Sequence, residues 1–387
     1  MTRVAETVSS KLPDVGTTIF ATMSAMAQEQ GADNLAQGFP EFDPDPWLRK
    51  QVAHHIQHGA NQYAPMPGTL QLRQAIKDKT QYYYGIGVDV ETEITVTSGA
   101  TEAIFAAIQS VTKPGDEVII FDPAYDCYDP AVRLSGGKAV HIPLSVKDFG
   151  IDWTTLEKSF NSKTRLIIIN SPHNPSGAVL TNDDLNRLYS LIKDSDCLLI
   201  SDEVYEHIIF NGQSHDSVLC HTELKQRSFV VSSFGKTYHM TGWKIGYCIA
   251  PDYLTTEFRK VHQFLTFSTS TPMQLAIADM INEQPDYPKG LADMYQSKRD
   301  CFVEALSASR FKIVPCHGTY FQLLDYSAVS DLDDMAFTEW LTHEHKVATI
   351  PISPFCVPAD PSYRFIRCCF AKSEQTLTSV AKRLSTL

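Results

Sequence analysis

The sequence predicts an α/β protein in which a large, doubly wound, mainly parallel sheet domain is joined to a smaller α+β domain. Two observations carry this. The chain has 387 residues, 43% of them hydrophobic and 20% charged, more than a usual single domain needs and enough for two cores. Short apolar runs alternate with helical patterns through its middle, as expected of parallel strands covered on both faces.

The elements follow in order. Residues 1–46 carry too little pattern to form a core alone and are expected to pack on the smaller domain. The large domain is expected over residues 47–284. Its strands read as Ile94–Thr97, Val118–Phe121, Leu166–Ile169, Leu198–Ser201, Phe229–Ser232 and Ile245–Ala250, followed by a helical stretch from Pro272 to about Asn282. Gln284–Lys289 holds two prolines and reads as a link. The smaller domain, residues 285–387, reads as a helix over Gly290–Ser307, strands at Phe311–Val314, Tyr320–Leu324 and Arg364–Phe370, and helices at Asp334–His345 and Ser373–Leu384.

Composition removes several classes of function. A net charge of -12 argues against a nucleic-acid surface, because phosphate binding needs a concentrated basic face. The first twenty residues carry Arg3, Glu6, Lys11 and Asp14 and lack a secretory apolar core, and no apolar run is long enough to span a membrane, so a cytoplasmic location is expected. Nine cysteines without a C-x-x-C pair imply neither a zinc site nor a disulfide framework; the neighbours Cys368 and Cys369 read as buried on a strand.

Chemistry concentrates just after the strands, where open sheets of this kind bind ligands. In SFGKTYHMTGWKIGY, residues 233–247, Lys236 follows a buried strand and a second cation, Lys244, stands eight residues later. Ser233 and Gly235 flank the first and Gly242 and Gly246 frame the second, leaving room for a bound group; the alternative is a solvated lysine among turn glycines. In SDEVYEHIIF, Asp202 ends a strand, where a helix cap is the plainer use; Glu203 and Glu206 read as structural. INSPHNPSGAVL is a loop of turn formers holding Asn174. In TSGATEAIFAAI, the helix that starts at Gly99, Ala100 and Thr101 offers free N–H groups to an anion. In YRFIRCCFAK, period two sends Arg367 to one strand face and Arg364 to the other; an arginine fork grips a carboxylate at two points.

The lysine string resembles the attachment pattern of class I and II aminotransferases of pyridoxal 5'-phosphate (PLP) fold type I, and the other strings occur in that family's order from about Leu35 onward. The resemblance implies a cofactor and a role for each residue. Lys236 would carry PLP as a Schiff base and then move the proton at the substrate α-carbon. Asp202 would pair with the pyridine nitrogen, and Tyr205 and Asn174 would reach the phenolic oxygen. Gly99, Ala100, Thr101, Ser233 and Lys244 would surround the cofactor and its phosphate, although many relatives have arginine at the place of Lys244. Tyr125 would lie flat against the pyridine, while Tyr128 reads as core. Tyr63 would reach the phosphate of a neighbouring subunit, which implies a homodimer with shared sites. Arg367 would clamp the substrate α-carboxylate, with Gly38 and Asn174 beside it. No role is assigned to His239.

The implied reaction is ping-pong transfer of an α-amino group from an amino acid to a 2-oxo acid. GFPEFDPD, DPAYDCYDP and HMTGWKIGY resemble most the methionine, kynurenine and glutamine transaminase K branch. Methionine leads as donor, ahead of phenylalanine, tyrosine, histidine, glutamine and kynurenine. The alternatives are a kynurenine, glutamine or aspartate-type aminotransferase, a carbon–sulfur β-lyase that expels a leaving group from the β-carbon, and a regulator that keeps the fold for sensing. No metal is expected.

Overall fold

The computed structural model describes residues 9–359 and 363–387. Part of the expected N-terminal segment, residues 1–8, lies outside these, as do residues 360–362.

Seven strands form the large sheet: β1 (Ile94–Thr97), β2 (Glu117–Asp122), β3 (Lys138–Pro143), β4 (Thr164–Asn170), β5 (Leu198–Asp202), β6 (Ser228–Ser233) and β7 (Gly246–Ile249). Their order across the sheet is β1-β7-β6-β5-β4-β2-β3. Pairings among β2 to β6 are parallel, and β7 runs antiparallel to both its neighbours. The period of two along each strand feeds two cores. Val118, Ile120, Leu166, Ile168 and Ile200 join the helix Gly99–Val111 on one face. Ile119, Phe121, Ile167, Ile169 and Leu199 pack on the other. Both faces are therefore covered, as parallel strands require.

Two features depart from the sequence reading. β3 was not expected; it is the sheet's edge, only its Ile142 is fully buried, and KAVHIP offers no apolar run. Ile245–Ala250 was expected in a mainly parallel sheet and forms its one antiparallel strand, β7. Three helices early in the chain also carried weak patterns. They span Ile19–Gln30, Pro46–Gln57 and Leu70–Tyr84, each begun by a side-chain cap, from Thr18, Asp45 and Thr69 respectively.

A second sheet, all antiparallel, holds β8 (Lys312–Ile313), β9 (Phe321–Asp325), β10 (Ile350–Pro351) and β11 (Phe365–Cys369) in the order β10-β11-β9-β8. The helices Lys289–Ala305 and Glu374–Leu384 pack against each other beside it. Cys368 and Cys369 are both buried on β11. The N-terminal chain joins this part of the molecule: Asp33–Asn34 pairs in parallel with Val347–Ala348, and the Cys369 N–H donates to the Leu35 carbonyl at 2.8 Å.

Candidate active site

The carboxyl ends of β4, β5 and β6 bring Asn170, Asp202 and Ser233 to one edge, and the turn after β1 brings Gly99 to the same place. These residues line one cleft together with Ala100, Thr101, Tyr125, Asn174, Tyr205, Lys236 and Lys244. Ten positions to which the resemblance gives a cofactor role thus converge from five separate stretches of chain.

Lys236 sits in a single helical turn, Phe234–Thr237, which the Ser233 hydroxyl caps by accepting from the Gly235 N–H. Its amine donates to the Tyr320 hydroxyl at 3.1 Å and lies 5.6 Å from the ring centres of both Tyr205 and Tyr320. Burial, aided by the positive charges of Arg367 and Lys244, pulls the amine down to about 8, so about a tenth of it is an unprotonated base at pH 7. Asp202 is pushed the other way, up to about 6 by burial, against hydrogen bonds from the Tyr128 hydroxyl and the Val204 N–H. Asn170 braces the floor: its side chain donates to the Asp202 carbonyl at 2.8 Å and accepts from the Asn174 N–H at 2.8 Å.

The phosphate-type end is built by close backbone approach. A Cβ on Gly246 would stand 2.8 Å from the Gly99 carbonyl carbon and 2.9 Å from the Ala100 nitrogen, so β7 can approach this turn only with glycine there. Gly99 has φ +75°, and a Cβ on it would meet the Lys244 side chain at 3.4 Å. Lys244 therefore lies over the first turn of the helix Gly99–Val111, which sets its ammonium beside the free N–H groups there. Gly242, by contrast, faces open space, so only one of the two glycines framing Lys244 is required by packing.

Arg367 is 1% exposed on β11. Its Nη1 donates to Asn174 Oδ1 at 3.0 Å and its Nη2 to the Ala36 carbonyl at 2.8 Å, while its plane lies 4.0 Å from the Phe321 ring centre and 5.1 Å from that of Phe20. Arg364 points away and donates to the carbonyls of Ser330 and Leu332. Gly38 lies close by: its carbonyl accepts from the Tyr320 hydroxyl at 2.6 Å, and a Cβ there would strike Phe321 at 2.9 Å.

Other residues fall differently. Tyr63 is 85% exposed, stands edge-on to Phe267 and does not line this chain's cleft. His239 is buried outside the cleft against Phe42, and burial keeps it neutral with a pKa of about 4. Glu203 and Glu206 are structural as expected, the first bonded to Ser201 and His215 and the second to Lys79, Ser232 and Tyr247. Two residues were missed. Tyr128, read only as core, donates to Asp202 Oδ2 at 2.6 Å, and Tyr320 accepts from Lys236. The repeat of aromatic and acidic residues in DPAYDCYDP was the signal for the first; GTYFQ carried none for the second.

The family model for class I and II aminotransferases matches residues 33–384. The chain belongs to that family. A methionine aminotransferase of Escherichia coli is 54% identical over 98% of each chain. The human kynurenine–oxoglutarate transaminase 3 is 32% identical over 96% of this chain and 88% of its own. A crystal structure of Escherichia coli YbdL, described as identifying a methionine aminotransferase function, superposes with a TM-score of 0.95 at 53% identity, covering 98% of this chain and 99% of that one. The sequence reading of an aminotransferase in the methionine and kynurenine branch is thereby borne out, and so is the fold. The chain is accordingly an aminotransferase, and the reaction of that family begins with loss of the proton on an amino acid's α-carbon.

Proposed function

We propose that the protein is a PLP-dependent aminotransferase that takes the α-amino group of methionine, and less readily of aromatic amino acids, histidine or glutamine, and passes it to a 2-oxo acid. The observation that carries the chemistry is the Lys236 amine, lowered to about 8, in a cleft with Asp202 and within the field of Arg367.

The residues of the cleft fit the cofactor. Lys244 and the first turn from Gly99 to Thr101 suit a phosphate, Asp202 suits a ring nitrogen that must stay protonated, Tyr205 and Asn174 suit a phenolic oxygen, and Tyr125 supplies a flat ring. When bound, PLP supplies a sink for the electron pair left on the substrate α-carbon. The chain supplies the rest. Arg367, held flat between Phe321 and Phe20 and tied to Asn174, presents its fork to the α-carboxylate and so fixes the α-hydrogen relative to the amine. The unprotonated Lys236 amine would take that proton from the α-carbon and pass it to the cofactor side, and the Tyr320 hydroxyl, which accepts from the amine, would steady it between the two transfers.

One observation favours methionine over a dicarboxylic donor: the 54% identity to a methionine aminotransferase. The exposed ring of Tyr63, edge-on to the exposed Phe267, supports a homodimer in which Tyr63 completes the partner's phosphate site. The division into 47–284 and 285–387, with residues 1–46 on the smaller part, is supported by two separate sheets and by the pairing of Asp33–Asn34. Among the described residues no helix is long and apolar enough to cross a membrane; a cytoplasmic setting completes the reading.

The test is the visible spectrum of the purified protein before and after methionine, and again after a 2-oxo acid, with Lys236→Ala as control. A yellow species that bleaches and returns is expected. A protein that takes up no PLP would overturn the reading, and aspartate as the dominant donor would overturn the substrate ranking.

A further inference from the structure

Asp202 has a partner that no part of the proposed reaction uses. The Tyr128 hydroxyl donates to Asp202 Oδ2 at 2.6 Å from the first residue of the helix Tyr128–Leu134, and the ring is 3% exposed. Burial and the neighbouring carboxylate hold the Tyr128 phenol far above its ordinary value, so it is always a donor here. Oδ1 receives only the Val204 N–H, at 3.3 Å. The other groups facing this carboxylate are the Lys236 amine, the Glu203 carboxylate, the Tyr125 phenol and the Cys127 thiol. Tyr128 is thus a short, fixed hydrogen bond to the group that is to face the cofactor's ring nitrogen.

We propose that Tyr128 is a positioning residue that sets where the proton shared between Asp202 and the ring nitrogen resides. This rests on the PLP reading above. A hydrogen bond donated to Oδ2 stabilises the ionised carboxylate and makes it a weaker base. The proton is then held on the ring nitrogen, where it lets the ring accept electrons. Without that bond, a carboxylate this deeply buried gains by becoming neutral, and the proton crosses to Asp202. No proton is gained or lost by the pair; it changes atoms. Burial already lifts Asp202 to about 6, so the balance is close enough for one hydrogen bond to shift it.

The experiment is 15N NMR of the protein loaded with PLP labelled at the ring nitrogen, recorded from pH 6 to 9. The wild-type signal is expected at the pyridinium end. Tyr128→Phe removes one oxygen and keeps the ring; Tyr128→Met guards against a folding failure of the first. Both are expected to move the signal toward neutral pyridine, by roughly 10- to 100-fold in the ratio of the two forms, the range for one hydrogen bond to a charged group. Both should lower kcat for methionine more than they raise KM. Cys127→Ala, which alters the adjacent packing and keeps the hydroxyl, is expected to leave the signal in place. Pyridinium signals unchanged in both Tyr128 variants, or a Cys127→Ala shift as large as theirs, would overturn the proposal. Wild-type protein that shows no bound ring-nitrogen signal at all would overturn it together with the PLP reading.

Discussion

Replacing Arg367 with lysine separates the planar fork from its charge. Lysine keeps the positive field at Lys236 but presents one ammonium where the guanidinium makes bonds of 3.0 Å to Asn174 and 2.8 Å to the Ala36 carbonyl. On substrate binding the variant forfeits one charge-assisted bond to the α-carboxylate, about 1.5–3 kcal/mol, which raises KM about 10- to 150-fold. Losing the stacking on Phe321 at 4.0 Å costs the fold a further ~0.5–2 kcal/mol. A buried acceptor left without its donor, at Asn174 or Ala36, adds about 1–3 kcal/mol. Three measurements check this: steady-state kinetics with methionine, denaturant unfolding, and titration with PLP. KM should rise with kcat changed by only a few-fold, stability should fall, and PLP affinity should hold. A variant that keeps the wild-type KM and loses PLP would refute the assignment of the fork to the substrate.

Four further outcomes are expected. Asp202→Ala should cut turnover and PLP affinity far more than Glu203→Ala, and equal losses in both assays would remove the ring-nitrogen role. Lys236 titrates near 8 when folded against 10.5 ordinarily, so the unfolded chain binds more protons between those values and stability rises with pH across that window. Lys236→Met should therefore stabilise the PLP-free protein by roughly 2–3 kcal/mol at pH 7 and hardly at all at pH 11; urea melts that show a loss at pH 7 would count against this account of the amine. Gly246→Ala forces a Cβ against backbone atoms of Ser232, Gly99 and Ala100 at 2.8–2.9 Å; PLP affinity should drop at least tenfold, with about 1–3 kcal/mol of stability, in fluorescence titrations and melts. Lys79→Met strips the buried Glu206 carboxylate of its 2.8 Å partner and should cost about 3–5 kcal/mol in equilibrium unfolding.

The sequence made most of the large sheet readable because burial on both faces leaves continuous apolar runs, and six of its seven strands read that way. β3 escaped because, unlike the fully buried edge strand β1, it is only partly covered: Lys138 and Pro143 are exposed, and the polar His141 is tied to Asp122 and Asp129. The two-residue pairings at Asp33–Asn34, Val347–Ala348 and Ile350–Pro351 have no period to detect. At the candidate site, Lys236, Asp202 and Asn174 were legible because they stand at or just beyond strand ends among turn formers and small residues, and Arg367 because the period of two on β11 sets it on the face opposite Arg364. Tyr128 and Tyr320 were not, because a buried aromatic ring fits a core as well as a cleft, and only coordinates show what its oxygen touches. Tyr63 has the reverse problem: its expected partner belongs to a second copy, so one chain shows only an exposed ring.

The short stretch from Ala36 to Gly38 grips the site through main-chain oxygen alone, one carbonyl holding Arg367 and the other Tyr320. A main-chain carbonyl is an acceptor that no codon change can delete. Point substitutions at Ala36, which is fully buried, will thus act through packing and leave its carbonyl in place, while inserting or removing a single residue between the paired Asn34 and Gly38 would slide both oxygens off their targets at once.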